Sequence, residues 1–143
     1  MKILVPVDGS AYSLKAVETA CDLAKARAPA SMVLTAVAIE IPELEEGVFI
    51  AEKMKAQAEI ALAQARGVAQ AQGLTPDVIL ATGASPADKI VQVAKDQQAD
   101  LIVIGSRGLA GKTKSFLGST ASQVVTYAHC SVLVVKTTDG SEP

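Results

Sequence analysis

The sequence predicts an α/β domain, a single doubly wound parallel sheet of five strands with helices on both faces. Three observations predict it. Short, nearly continuous apolar runs such as Ile3–Val7 have the pattern of strands buried on both faces. Longer stretches between them place apolar residues at helical spacing. The two kinds alternate along the chain, which implies parallel pairing through right-handed crossovers. With 143 residues the chain is about one domain long, since single domains run to roughly 100–150 residues. Residues 1–137 are expected to form that domain and 138–143 a polar tail.

Ile3 to Val7 is the first strand, and Asp8-Gly9-Ser10 breaks it. Around the segment Tyr12 to Arg27, Leu14, Val17, Cys21, Ala24 and Ala28 recur at helical spacing, and Pro29 closes that helix. Met32 to Ile39 is the second strand. Residues 40–47 form an acidic loop with Glu40, Glu43, Glu45 and Glu46. A long helix from Val48 to Gln72 then sets Ala51, Met54, Ala58, Leu62, Ala65 and Val68 on one face, with Gly73 as a natural stop. Asp77 to Ala81 is the third strand. Ser85-Pro86-Ala87-Asp88 combines a capping serine, proline at the first helical position and an acid at the third, and this helix runs to about Gln98. Leu101 to Ile104 and Ser131 to Lys136 are strands four and five, with a helix from Ser119 to Ala128 between them.

Composition excludes several functions. Thirteen basic against fifteen acidic residues, 3% aromatics and no Trp supply neither a basic face for duplex phosphates nor a stacking platform for single strands. No nucleic-acid partner is therefore expected. Half the residues are hydrophobic, yet no apolar run approaches the roughly 18 residues of a spanning helix, and Pro6 and Asp8 end the first apolar run at once. Membrane insertion is not expected. Cys21 and Cys130 are too few for a disulfide framework and read as reduced thiols of a cytoplasmic protein.

The chemistry concentrates after strand four, in Gly105-Ser106-Arg107-Gly108 and the segment ending Gly118-Ser119-Thr120. Glycines at 105 and 108 let main chain approach a bulky anion, because no Cβ intervenes. Gly118, Ser119 and Thr120 stand at a helix N-terminus, where open N–H groups and the helix dipole favour phosphate. Arg107, Lys112 and Lys114 add positive charge. Taken singly, each element is an ordinary loop, basic run or helix cap; together in one strand–loop–helix unit they point to phosphate. The stretch is not a Walker A loop. Five residues separate Gly105 from Gly111 where that motif needs four, and Ser106 stands where its first glycine would be. In a doubly wound sheet ligands bind where the strand order reverses, so a ligand near Asp8 and Gly105 requires strands one and four to be neighbours. Asp8 itself has two readings, a turn-former before Gly9 or an acceptor for ligand hydroxyls.

Gly105-x2-Gly108-x9-Gly118-Ser119 resembles the nucleotide-binding signature of the universal stress protein family. The resemblance extends to Val5-Pro6-Val7-Asp8-Gly9-Ser10 and to His129-Cys130-Ser131 with the apolar run after it. It implies a Rossmann-like sheet of order 3-2-1-4-5 and ATP as ligand, with ADP or AMP as alternatives and Mg or Mn held through the phosphates. Pro6 and Val7 would line the base, Asp8 would lie near ribose and adenine, and main chain at Val37 would meet adenine. Gly105 and Gly108 would approach ribose and phosphates, and Gly118, Ser119 and Thr120 would hold the triphosphate. Arg107 occupies a variable position and enters on its charge alone. The family also implies a homodimer through strand 131–136, an unbroken apolar edge, and a stress-response role with a regulatory protein partner.

Catalytic residues are not expected. The lone histidine, His129, stands at the amino end of strand five, away from the edge where ligands sit. A phosphoacceptor receiver domain would need an acid pair after strand one and an aspartate after strand three, but Gly9 follows Asp8 and strand three ends Leu80-Ala81-Thr82-Gly83. A flavodoxin would bind phosphate after strand one, where Asp8 would repel it. The reading is an ATP-binding regulatory module whose nucleotide orders loop 106–117; the alternative is a slow ATPase or a self-phosphorylating enzyme.

Overall fold

In the computed structural model, which describes residues 1–40, 47–108 and 117–136, the strands are β1 (Lys2–Pro6), β2 (Ser31–Ile39), β3 (Asp77–Gly83), β4 (Leu101–Gly105) and β5 (Ser131–Val135). The helices are α1 (Ala11–Ala26), α2 (Gly47–Ala71), α3 (Pro86–Asp96) and α4 (Ser119–Tyr127). Glu43, Glu45 and Glu46 of the acidic loop, Lys112 and Lys114, most of loop 106–117 and the tail lie outside the described residues. All pairings are parallel and the sheet order is β3-β2-β1-β4-β5. β1 and β4 are therefore neighbours, as the ligand argument required.

Right-handed crossovers decide which face each helix covers. The chain steps one way from β1 to β3 and the other way from β3 to β5, so α1 and α2 share one face and α3 and α4 the opposite one. Side chains alternate accordingly. Ile3, Val5 and Val7 of the first strand region pack with Met32, Leu34 and Ala36 against Val17, Ala20, Cys21, Ala61 and Ala65 of α1 and α2. Leu4, Val33, Ile102 and Ile104 point the other way, against Ile90 and Ala94 of α3 and Ala121 and Val124 of α4. Ala28, expected on the α1 stripe, is exposed beyond the C-cap Arg27, because the helix ends before it. Burial pushes both thiols up; for Cys130 the neighbouring Asp100 charge adds to the effect. Neither favours the reactive thiolate.

Capping follows the sequence closely. Ser10 Oγ accepts from Ser13 N at the start of α1, and Ser85 Oγ accepts from Asp88 N at the start of α3, with Pro86 in its first turn. Helix α2 ends in a Schellman motif: Gly73, at φ +83°, donates to Gln70 O, and Leu74 N donates to Ala69 O at 3.0 Å. Helix α3 ends the same way, with Gln98 N bonded to Lys95 O and Ala99 N to Ala94 O, but Gln98 takes the left-handed position at φ 54°. A side chain there is strained by its Cβ. Gln98→Gly is accordingly expected to raise stability by about 0.5–1 kcal/mol, read as a higher urea midpoint at unchanged slope. A midpoint that stays put or falls would show that the position carries no such strain.

Candidate functional site

The site begins with the turn that follows β1. Gly9 takes φ +86°, and Asp8 Oδ1 accepts from both Ser10 N at 2.9 Å and Ser10 Oγ at 2.5 Å. This is an Asx turn. Ser13 closes it from α1: its Oγ donates to Ser10 O at 3.0 Å and accepts from Asp8 N at 3.3 Å. Ser10 and Ser13 are buried, and these bonds satisfy their hydroxyls, as buried polar groups require. The carboxylate thus has its Oδ1 engaged in the turn, while Oδ2 lies against Gly108: a Cβ added at Gly108 would collide with that oxygen.

β4 delivers the second part. Ser106 N donates to Val135 O, extending β4–β5 pairing by a residue, and Ser106 O accepts from Gly118 N at 2.7 Å. That bond brings the start of α4 back to the end of β4. Gly118 is the N-cap of α4 and offers no side-chain hydrogen bond, unlike Ser10 and Ser85 at α1 and α3. The first bond inside α4 runs from Ser122 N to Gly118 O, so the N–H groups of Ser119, Thr120 and Ala121 are those a helix leaves open at its N-terminus. They supply partial positive charge where an anion would be held.

Pro6, Val7, Asp8, Val37, Gly105, Arg107, Gly108, Gly118, Ser119 and Thr120 all line one cavity of about 640 Å³ at the carboxyl edge of the sheet. Apolar Pro6, Val7, Ala36 and Val37 line it together with Arg107 and the start of α4. His129 is exposed at the amino end of β5, across the sheet from it. Among the described residues no group of three or more His, Cys, Asp or Glu could hold a metal ion.

The cavity also includes residues that the sequence reading passed over. Thr35 is buried on β2 and donates through Oγ1 to Ile79 O at 2.9 Å. Met54, Gln57, Ala61 and Gln64 of α2 also line the cavity. Gln57, Ala61 and Gln64 stand at i, i+4 and i+7, one helix face, a spacing that marks the face but not what it lines. The glycines divide by role. A Cβ at Gly105 would meet the Tyr12 carbonyl oxygen at 2.8 Å, so α1 packs there backbone to backbone. Gly118 is nearly as tight, with Ser106 O at 3.2 Å and Arg107 Cα at 3.3 Å from an added Cβ.

The sequence profile of the universal stress protein family matches residues 1–136. A universal stress protein of Methanocaldococcus jannaschii is 34% identical over 139 residues, covering 94% of this chain and 81% of the relative. The structure of a universal stress protein from Lactobacillus plantarum superposes with a TM-score of 0.82 at 28% identity, over 94% of this chain and 97% of that one. A universal stress protein in complex with cAMP matches at TM-score 0.72 and 30% identity, over 96% and 98% of the two chains.

The two glycines nearest the turn should separate in solution. Gly105→Ala forces its Cβ onto backbone and is expected to cost about 1–3 kcal/mol without any ligand. Gly108→Ala meets the Asp8 carboxylate and not backbone, so a shift of that side chain within its turn relieves it, and it should cost less than Gly105→Ala, about 0.5–1 kcal/mol. Urea unfolding of both variants checks this; equal stabilities would contradict the packing role of Gly105.

Proposed function

Because the chain belongs to the universal stress protein family, we propose that it is an ATP-binding regulatory protein of the cytoplasm, in which nucleotide acts as a ligand in stress response. The observation that carries this reading is the α4 N-terminus, whose N-cap Gly118 gives no side-chain hydrogen bond and which lines the same cavity as the Asp8 turn. Pro6, Val7 and Val37 would flank the base. Asp8 would accept from ribose hydroxyls, as an ionised carboxylate accepts and does not donate. Gly105 and Gly108 would present backbone to the ribose and phosphates, and Gly118, Ser119 and Thr120 would hold the phosphate chain, which brings its own Mg or Mn. ADP and AMP fit the same reading, and the cAMP complex of a relative supports an adenine nucleotide.

The alternative, a slow ATPase or self-phosphorylating enzyme, needs a group that orients the nucleophile. His129 lies at the opposite edge, and Asp8 in this reading serves the nucleoside and not the terminal phosphate. What the cavity offers are backbone N–H groups, hydroxyls and a guanidinium, which hold a ground state well and add little that is specific to a transition state.

Saturating ATP, at about 100 times its Kd, should stabilise the protein by roughly 2.7 kcal/mol. Asp8→Asn keeps a carbonyl oxygen for the Asx turn and removes the charge, so it should weaken nucleotide binding about tenfold at little cost in stability. Turnover with magnesium should stay far below the typical enzyme value of about 10 s⁻¹. A melting temperature indifferent to ATP would overturn the binding reading, and brisk turnover the regulatory one.

Assembly is part of the proposal: two copies pair through the β5 edge about a two-fold axis, the commonest symmetry, and a regulatory protein partner reads the dimer. The edge strand is apolar, and Leu133 on it and Val125 and Tyr127 on α4 are exposed large apolar residues, which favours pairing over solvation. Val134 packs inward against the α3–α4 core, so Leu133→Lys is the substitution that tests the edge without opening the core. Light scattering at micromolar concentration should give a dimer for the wild type and a monomer for the variant; a monomeric wild type would refute the assembly.

A further inference from the structure

Arg107 connects two helix starts. Its Cα lies where an atom added to Gly118, the N-cap of α4, would come within 3.3 Å. Its guanidinium carbon lies 5.8 Å from the ring centroid of Tyr12, in the first turn of α1. Tyr12 is 7% exposed, and Arg107 is half-buried and lines the cavity. A cation over an aromatic face within about 6 Å is attracted by the ring quadrupole, more strongly as water is excluded. Stacking by its face also suits a guanidinium whose N–H groups radiate in the plane of the group, the geometry that arginine uses for phosphate oxygens.

The ring is itself firmly placed. Gly105 lets β4 pass within contact of the Tyr12 backbone, where a Cβ would come 2.8 Å from its carbonyl oxygen and 3.1 Å from its Cβ. Ser10 and Ser13, on either side of Tyr12 in sequence, are fixed by the hydrogen bonds of the Asp8 turn. The same turn that presents Asp8 therefore sets the position of the aromatic ring.

We propose that Tyr12 is a positioning residue whose ring seats the Arg107 guanidinium between the N-termini of α1 and α4, so that affinity for a nucleotide rises with its phosphate charge. The inference rests on the reading of the cavity as a nucleotide site and adds to it what selects the ligand. α4 alone supplies partial charges, which fall off within the first turn of a helix. A full positive charge in the same cavity distinguishes a triphosphate from a nucleoside.

The test is calorimetric titration of the wild type, Tyr12→Phe, Tyr12→Leu and Arg107→Gln with adenosine, AMP, ADP and ATP. In the wild type and Tyr12→Phe, which keeps the ring face, affinity should climb along the series. In Tyr12→Leu the ratio of ATP to adenosine affinity should fall about three- to tenfold, with adenosine affinity changed less than about twofold. Arg107→Gln, which keeps Tyr12 and removes the charge, should lose at least as much of the ratio, and Tyr12→Met takes the place of Tyr12→Leu if that variant does not fold. An unchanged ratio in Arg107→Gln or in folded Tyr12→Leu, a ratio lost in Tyr12→Phe, or a wild type that binds all four ligands equally would overturn the proposal. A wild type that binds none of them would instead overturn the nucleotide reading beneath it.

Discussion

At the junction of β1 and β4, backbone must approach backbone more closely than side chains allow, and the cavity exists because it does. The α1 start lies on β4 at Gly105, where a Cβ would stand 2.8 Å from the Tyr12 carbonyl oxygen. The α4 start lies on Ser106, joined by the 2.7 Å hydrogen bond from Gly118 N and with room for no comfortable Cβ. Two helix N-termini and two strand ends thereby converge on one small region. The order reversal of a doubly wound sheet opens a crevice there in any such fold. In this chain, glycine decides how deep that crevice is and which backbone groups face it.

The alanine-rich composition contributes in the same way. Ala16, Ala20 and Ala24 of α1 and Ala58, Ala61, Ala65 and Ala69 of α2 are buried against the sheet. Short side chains let both helices sit close to the strands, so the larger Leu, Ile and Val residues of β1, β2 and β4 fill the core. Ala58 and Ala61 also line the cavity, and a Cβ at Gly9 would stand 3.8 Å from that of Ala61. Part of the cavity's space comes from small residues on α2 facing a glycine turn. The same helix also lines the cavity with Gln57 and Gln64, so one element supplies both a core face and polar groups to the site.

Much of this was legible in the chain. Strand and helix periods placed every described element within a residue or two of its observed bounds, because burial on two faces leaves continuous apolar runs and burial on one leaves a stripe. Ser85-Pro86 and Gly73 did at their termini what their chemistry demands. Sheet order was legible through family resemblance and not through periodicity, which carries no information on which strands are neighbours. The α2 contribution was missed because Met54, Gln57 and Gln64 join the site only through tertiary packing. Gly105 shows the same limit: its spacing points to a ligand, whereas its contact with Tyr12 lies more than ninety residues away in sequence. Left-handed Gln98 had no sequence signal, since glycine or asparagine is the residue that marks such a cap.

The central claim is that the carboxyl edge at β1, β4 and α4 is where an adenine nucleotide binds. Amide resonances followed by NMR during titration with ATP test it residue by residue. Saturable shifts are expected at Asp8, Gly105, Gly108, Ser119 and Thr120, with Lys2, Asp100 and Cys130 at the amino edge unmoved. Saturable shifts confined to the amino edge, or none anywhere at millimolar ATP, would contradict it.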